Sequence, residues 1–135
     1  CAIESDTRLS ITPLKILIVD DVQTNREIIR RGLKRDGHDF YEAEDGQQAY
    51  ELAKKYKFDV ILMDLDMPIL DGFAATRLIR QNSVNQNTFI IALSGFAYQE
   101  DIDAISKAGM NLHVAKPINL KKLKDILKNQ FSEAR

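Results

Sequence analysis

The sequence predicts an α/β domain: a doubly wound, five-stranded parallel sheet with helices on both faces. Three observations predict it. Five short apolar runs of strand length recur along the chain. The segments between them space their apolar residues at i, i+3, i+4 and i+7, the period of an amphipathic helix. Strict alternation of the two requires a crossover after each strand, which makes neighbouring strands parallel and right-handed in connection.

The elements follow in order. Residues 1–13 mix Ser, Thr and Asp with isolated aliphatics and show no periodicity, so they are expected to be a linker or flexible arm, with 14–135 as the domain. Lys15-Ile16-Leu17-Ile18-Val19 is a buried strand that ends in Asp20-Asp21. Asn25 to Arg35 alternates charge with Ile28, Ile29 and Leu33 and reads as a helix, closed by Asp36-Gly37. Asp39 to Ala43 is a short strand near the sheet edge, because it is the most polar of the five. Asp45-Gly46 is a turn, and Ala49, Leu52, Ala53 and Tyr56 give Gln47 to Tyr56 a helical stripe.

The run Val60-Ile61-Leu62-Met63 is a strand buried on both faces that stops abruptly at Asp64-Leu65-Asp66-Met67-Pro68. Asp71-Gly72 turns the chain into a helix over Phe73 to Arg80, and Ser83 to Thr88 is a polar loop. Phe89-Ile90-Ile91-Ala92-Leu93 is a buried strand ending in Ser94-Gly95. Glu100 to Ala108 is a helix with Ile102 and Ile105 inward, closed by Gly109. Leu112-His113-Val114-Ala115 is the last strand, ending in Lys116-Pro117. Asn119 caps a final helix whose stripe is Leu120, Leu123, Leu127 and Phe131.

Composition narrows the class. A formal net charge of −1 gives no basic field for nucleic acid. No apolar run approaches the ~18 residues of a membrane-spanning helix, so this segment is expected to make no membrane contact. Cys1 is the single cysteine, too few for an internal disulfide or a Cys-rich metal site, and points to a reducing, cytoplasmic setting.

The chemistry concentrates at strand ends. In a parallel sheet all carboxyl ends share one edge, and ligands bind in the crevice outside it. That edge collects Asp20, Asp21, Asp64, Asp66, Ser94 and Lys116. Two carboxylates ~4 Å apart repel by about 4 kcal/mol at an effective dielectric near 20. Lys116 offsets one charge; a hard divalent cation with a preference for oxygen would offset two more, and Mg²⁺ also takes phosphate oxygens. Phosphoryl chemistry follows: Asp64 as nucleophile, Asp21 and Asp64 on the metal with Asp20 nearby, Lys116 and Ser94 on phosphoryl oxygens.

Taken one at a time, these residues have plainer readings. A lone acidic pair is a helix cap, a lone serine a turn cap, a lone lysine a surface charge. Their joint placement at strand ends is what outweighs those readings. In that order and placement, Asp20-Asp21, Asp64-Leu65-Asp66-Met67-Pro68, Asp71-Gly72, Ser94-Gly95 and Lys116-Pro117 make the chain resemble the receiver domain of two-component response regulators over about Lys15 to Phe131. The resemblance implies strand order 2-1-3-4-5 and transfer of a phosphoryl group from a phosphohistidine to Asp64. It implies Mg²⁺ on Asp21, Asp64 and the backbone carbonyl of Asp66, with a histidine kinase or histidine phosphotransfer domain as partner. It further implies a change of surface around the fourth and fifth helices, and a stand-alone receiver or the receiver module of a hybrid histidine kinase, whose parent protein can be membrane-anchored.

One departure stands out. The family's switch aromatic, usually Tyr or Phe, is replaced by His113, which can still follow Ser94 and can add a pH dependence. Asp66 and Phe96 occupy positions that govern the access of water to the phosphoryl group. Two alternatives use the same residues. Asp64 and Asp66 resemble the Asp-x-Asp motif of haloacid-dehalogenase-like phosphatases, which leaves Asp20-Asp21 unexplained. A degenerate receiver serving as a binding module leaves the intact acids, Ser94 and Lys116 unexplained.

Overall fold

A computed structural model describes residues 14–34, 37–65, 72–94, 99–115 and 119–131. The expected arm at 1–13, Asp36, the segment from Asp66 to Asp71, Gly95 and Phe96, and Lys116-Pro117 lie outside the described residues. The strands are β1 (Lys15–Val19), β2 (Asp39–Ala43), β3 (Val60–Asp64), β4 (Phe89–Ser94) and β5 (Leu112–Ala115). The helices are α1 (Gln23–Lys34), α2 (Gly46–Lys55), α3 (Gly72–Asn82), α4 (Gln99–Ala108) and α5 (Leu120–Phe131). All pairings are parallel and the spatial order is β2-β1-β3-β4-β5, as expected.

The alternation of side chains along each strand divides the core in two. Leu17, Val19, Ile61, Met63, Ile90 and Ala92 face α2, α3 and α4. Ile16, Ile18, Val60, Leu62, Ile91 and Leu93 face α1 and α5. β1 and β3 are buried along almost their whole length, which explains why they read as continuous apolar runs. β2 is one of the two sheet edges and a polar strand, as its composition predicts.

Local chemistry sets the helix ends. Asp45-Gly46 is more than a turn. Asp45 is the N-cap of α2 and accepts from the Gln48 amide at 2.8 Å, while Gly46 is already helical and buried. Asn119 accepts from the Lys122 amide at 3.1 Å and caps α5. α4 ends in a Schellman motif: Gly109, at φ +106°, donates to Ser106 and Met110 donates to Ile105. Two apolar residues depart from their predicted stripes. Ile28 is half exposed, since Ile29 and Leu33 already define the buried face of α1. Tyr56 lies one residue beyond α2 and is exposed at its C-cap.

The loop at Ser83 to Thr88 looked merely polar in sequence. It is built around Asn85, which is fully buried. Asn85 Nδ2 donates to the carbonyls of Ala53 and Tyr56, each at 2.7 Å, and its Oδ1 accepts from the Phe58 amide at 2.7 Å and the Thr88 hydroxyl at 2.8 Å. Arg80 joins this loop to the α4–β5 turn, donating to the carbonyls of Asn85, Gln86 and Gly109 and to Asn111 Oδ1. Burial lowers its pKa from the ordinary arginine value, although a guanidinium so far above neutrality stays charged.

Candidate functional site

Strand register assembles the acids. Val19 pairs with Met63, so the next residues, Asp20 and Asp64, leave the sheet side by side. One carboxylate oxygen each from Asp20, Asp21 and Asp64 lies within 4.8 Å of the others. Asp20 and Asp64 are buried and Asp21 is exposed, so the cluster opens to solvent on one side. Three carboxylates and no thiolate or imidazole form a hard oxygen donor set, which fits Mg²⁺ or Ca²⁺.

Asp20 is held on several sides. Its Oδ1 accepts from the Val22 amide at 2.8 Å and its Oδ2 from Asn25 Nδ2 at 3.3 Å. Its carbonyl accepts from Arg26 Nη1 at 2.6 Å, and its amide donates to Ala43. Arg26 is nearly buried, with Nε on Glu42 Oε1 at 2.9 Å, and Arg30 takes the other Glu42 oxygen at 3.1 Å. The first turns of α1 and the edge strand thus fix the end of β1. Sequence reading passed over Asn25 and Arg26. The available signal was spacing: Arg26 lies six residues beyond Asp20, on the helical face that also carries Ile29 and Leu33.

On the other side of Asp64, the Leu65 amide donates to the Leu93 carbonyl at 3.0 Å, so the β3–β4 ladder continues past the acid. Ser94 is the next residue on β4 and is fully buried. Its Oγ lies 3.2 Å from His113 Nε2. His113 stands level with Ala92 in the β4–β5 register, and Ser94 points to the same face as Ala92, so the imidazole reaches it diagonally. Gly72, at the start of α3, packs directly on the end of β3. A Cβ there would meet the Asp64 carbonyl oxygen at 2.6 Å and Leu65 Cδ2 at 2.7 Å.

Of the residues picked out in sequence, Asp20, Asp21 and Asp64 come together, and Ser94 and His113 form a pair beside them. Asp66 and Lys116 lie outside the described residues. Ser94 pairs with Ala115, the last residue of β5.

A doubly wound parallel sheet with an acidic, oxygen-rich crevice at its carboxyl edge and a buried hydroxyl on the adjoining strand is an arrangement able to hold a hard divalent cation. Comparison narrows the class. Residues 16–128 match the family described as the response regulator receiver domain. The chain is 38% identical over 122 residues to the osmosensing histidine protein kinase SLN1 of Saccharomyces cerevisiae, an alignment that takes in 86% of this chain and 10% of the kinase. It is similar, at TM-score 0.77 and 36% identity, to the receiver domain of sensor histidine kinase PA1611 from Pseudomonas aeruginosa PAO1, whose active site cleft coordinates a magnesium ion; 87% of this chain and 97% of that one are covered. It is similar, at TM-score 0.79 and 28% identity, to the receiver domain of the Saccharomyces cerevisiae response regulator Ssk1 in co-crystals with the histidine phosphotransfer protein Ypd1, over 86% of this chain and 87% of that one.

The chain belongs to the response regulator receiver domain family of two-component phosphorelay proteins. It spans about a tenth of the length of the first curated relatives it matches. The phosphatase alternative is not favoured. That reading had no place for Asp20-Asp21, which the structure sets against Asp64. Among the described residues no helix is long and apolar enough to cross a membrane.

Proposed function

We propose that Asp64 is the phosphoacceptor of this receiver and that a phosphohistidine, on a histidine kinase or a histidine phosphotransfer domain, is the donor. A carboxylate oxygen of Asp64 forms a bond to phosphorus while the phosphorus–nitrogen bond to the donor imidazole breaks. The leaving nitrogen keeps the electron pair and takes up a proton. The observation that carries the reading is the placement of buried Asp64 within 4.8 Å of the Asp20 and Asp21 carboxylates, at the mouth of a family-typical sheet edge.

Asp21 and Asp64 would hold Mg²⁺, with Asp20 beside them and the Asp66 carbonyl contributing by its position in the sequence. Bound there, Mg²⁺ neutralises charge on the acids and on the phosphoryl oxygens. Asn25 and Arg26 keep Asp20 in place. Ser94 donates a hydrogen bond to a phosphoryl oxygen and Lys116 pairs with another. Movement of Ser94 and His113 then alters the surface around α4 and β5, a population shift whose size depends on how much better one state holds the phosphoryl group. Similarity to SLN1 and to the PA1611 receiver supports a role as the receiver module of a hybrid histidine kinase, on the cytoplasmic side if that parent protein is membrane-anchored.

The test is intact mass after incubation with acetyl phosphate. One base-labile phosphoryl adduct is expected with Mg²⁺, and none without Mg²⁺ or in Asp64→Asn. An adduct that persists in Asp64→Asn moves the acceptor elsewhere. Rapid donor hydrolysis without an adduct would return weight to a phosphatase, and neither adduct nor hydrolysis to a binding module.

A further inference from the structure

We propose that residues 1–13 fold back on the amino-terminal end of the sheet, where Tyr41, Tyr56 and Val84, framed by three lysines, form a seat for an acidic, apolar segment. The seat lies at the opposite end of the strands from Asp20, Asp21 and Asp64, so the proposal stands apart from the role of Asp64.

The seat joins three parts of the chain. Tyr56, just beyond α2, packs on Tyr41 of β2 with ring centroids 4.9 Å apart. Both rings rest on buried Phe58, at 6.4 and 5.4 Å. Tyr56 is still 38% exposed, and Val84 is 56% exposed. Asn85 brings these two together, because its Nδ2 donates to the Tyr56 carbonyl at 2.7 Å one residue after Val84. Adjoining exposed apolar side chains of this kind mark a contact surface, as a lone one does not. Lysines frame it. Lys15 Nζ lies 5.6 Å from the Tyr41 ring centroid and 5.8 Å from that of Tyr56. Lys55 and Lys57, both exposed, flank Tyr56 in the chain. None of the three has an ion-pair partner among the described residues. Of the acids near by, Asp59 accepts from the Lys15 amide and Asp39 stands level with Lys15, so the lysines are in excess.

The arm is the occupant that fits. It is rooted beside the seat: Leu14 is buried, its amide donates to His38 Nδ1 at 2.8 Å, and its carbonyl accepts from the Asp39 amide at 2.8 Å. The next residue is Lys15, whose side chain already reaches both tyrosine rings. Ile11, three residues from that root, has a reach of about 10 Å, and the whole arm one of about 45 Å. The arm as a whole shows no periodicity, but Arg8-Leu9-Ser10-Ile11-Thr12 alternates polar and apolar, which sets Leu9 and Ile11 on one side of an extended chain. Further out stand Glu4 and Asp6, opposite in charge to the lysines. Attachment at Leu14 gives the arm an effective concentration on the order of millimolar, so weak contacts suffice. A second copy of the chain lacks that advantage.

Cys1, the single cysteine, offers one attachment point for a nitroxide at the tip of the arm. The full chain carrying that label is compared by amide NMR with its reduced, diamagnetic form, in wild type and in a Leu9→Ser, Ile11→Ser double variant. In wild type the amide signals of Lys55, Lys57 and Val84 should be lost to broadening. That of Lys34, at the end of α1 on the other face of the sheet, should persist. In the double variant the two sets should broaden alike. Without any label, the Tyr56 and Val84 amide shifts should differ between the two proteins, while those of β3 stay the same and report an intact sheet. Equal broadening of Lys34 and Lys57 in wild type overturns the seat, as do Tyr56 and Val84 shifts that ignore the substitutions. Broadening of ¹⁵N chains by nitroxide-bearing ¹⁴N chains mixed with them assigns the surface to a second copy and overturns the arm as its occupant.

Discussion

Gly72→Ala is expected to damage the end of β3 from the helix that follows it. The added Cβ would sit 2.6 Å from the Asp64 carbonyl oxygen, 2.7 Å from Leu65 Cδ2 and 3.0 Å from Met63 Cγ. Relief to an ordinary contact of about 3.4 Å requires the start of α3 and the end of β3 to part by about 0.8 Å. The first of these neighbours is backbone in the middle of a five-stranded sheet, and it cannot swing aside as a side chain can. Overpacking of this kind costs about 1–3 kcal/mol, and the better helix propensity of alanine returns less than 1 kcal/mol of that.

A net loss of about 1–2 kcal/mol should lower the melting temperature by about 5 °C in a domain of this size. The chain has no tryptophan, so unfolding in urea is best followed by circular dichroism. Gly32→Ala is the internal control. There the nearest atoms are the terminal carbons of Leu120, from 2.5 Å, on a flexible side chain that can rotate away. Its stability should stay within about 0.5 kcal/mol of wild type. The reasoning fails if Gly72→Ala is as stable as wild type, or if Gly32→Ala proves equally damaging. Because the strain falls on residue 64, Gly72→Ala should also weaken Mg²⁺ binding, which the same preparation can report by amide NMR.

Other substitutions test other parts of the site and its frame. Asn85→Ala leaves the Ala53 and Tyr56 carbonyls and the Phe58 amide without their buried partner, and should cost about 3 kcal/mol or more in urea unfolding, with unchanged secondary structure in the folded baseline. Arg26→Met keeps the apolar stem but frees the Asp20 carbonyl and Glu42; Mg²⁺ affinity, measured by calorimetry, should fall about tenfold. Asp64→Asn removes one of three crowded carboxylates and should raise stability by about 1–3 kcal/mol in chelator, while abolishing the further stabilisation expected when Mg²⁺ is added to wild type. Equal melting temperatures of wild type and Asp64→Asn in chelator would show that the three acids do not repel at a cost.

The sheet was legible in sequence because β1, β3 and β4 are covered on both faces. Ile16 to Val19, Val60 to Met63 and Ile90 to Leu93 therefore had no polar partner to hide them. The acids were legible for a related reason. Once the strands alternate with helices they must run parallel, and Asp20, Asp64 and Ser94 must reach one edge. The residues that support the site were not legible, since their roles depend on distant partners. Arg26 reads as one of several helix charges until β2 brings Glu42 beside it. Asn85 reads as loop filler until the end of α2 and the segment leading into β3 supply the carbonyls and amide it bonds. The contact of His113 with Ser94 depends on the register of an edge strand, which no local pattern specifies.

The three acids come from sequence positions 20, 21 and 64, and the hydroxyl beside them from position 94. No pair of neighbouring elements carries the site; β1, β3 and β4 must all be in register before it exists. During synthesis, a chain that has emerged only as far as β3 owns the Asp64 carboxylate but lacks the strand that anchors Leu65 and supplies Ser94. On the proposed role of Asp64, a nascent or misfolded copy is expected to be a poor phosphoryl acceptor. The interleaved order of the strands makes the acidic cluster and its neighbouring hydroxyl conditional on completed folding.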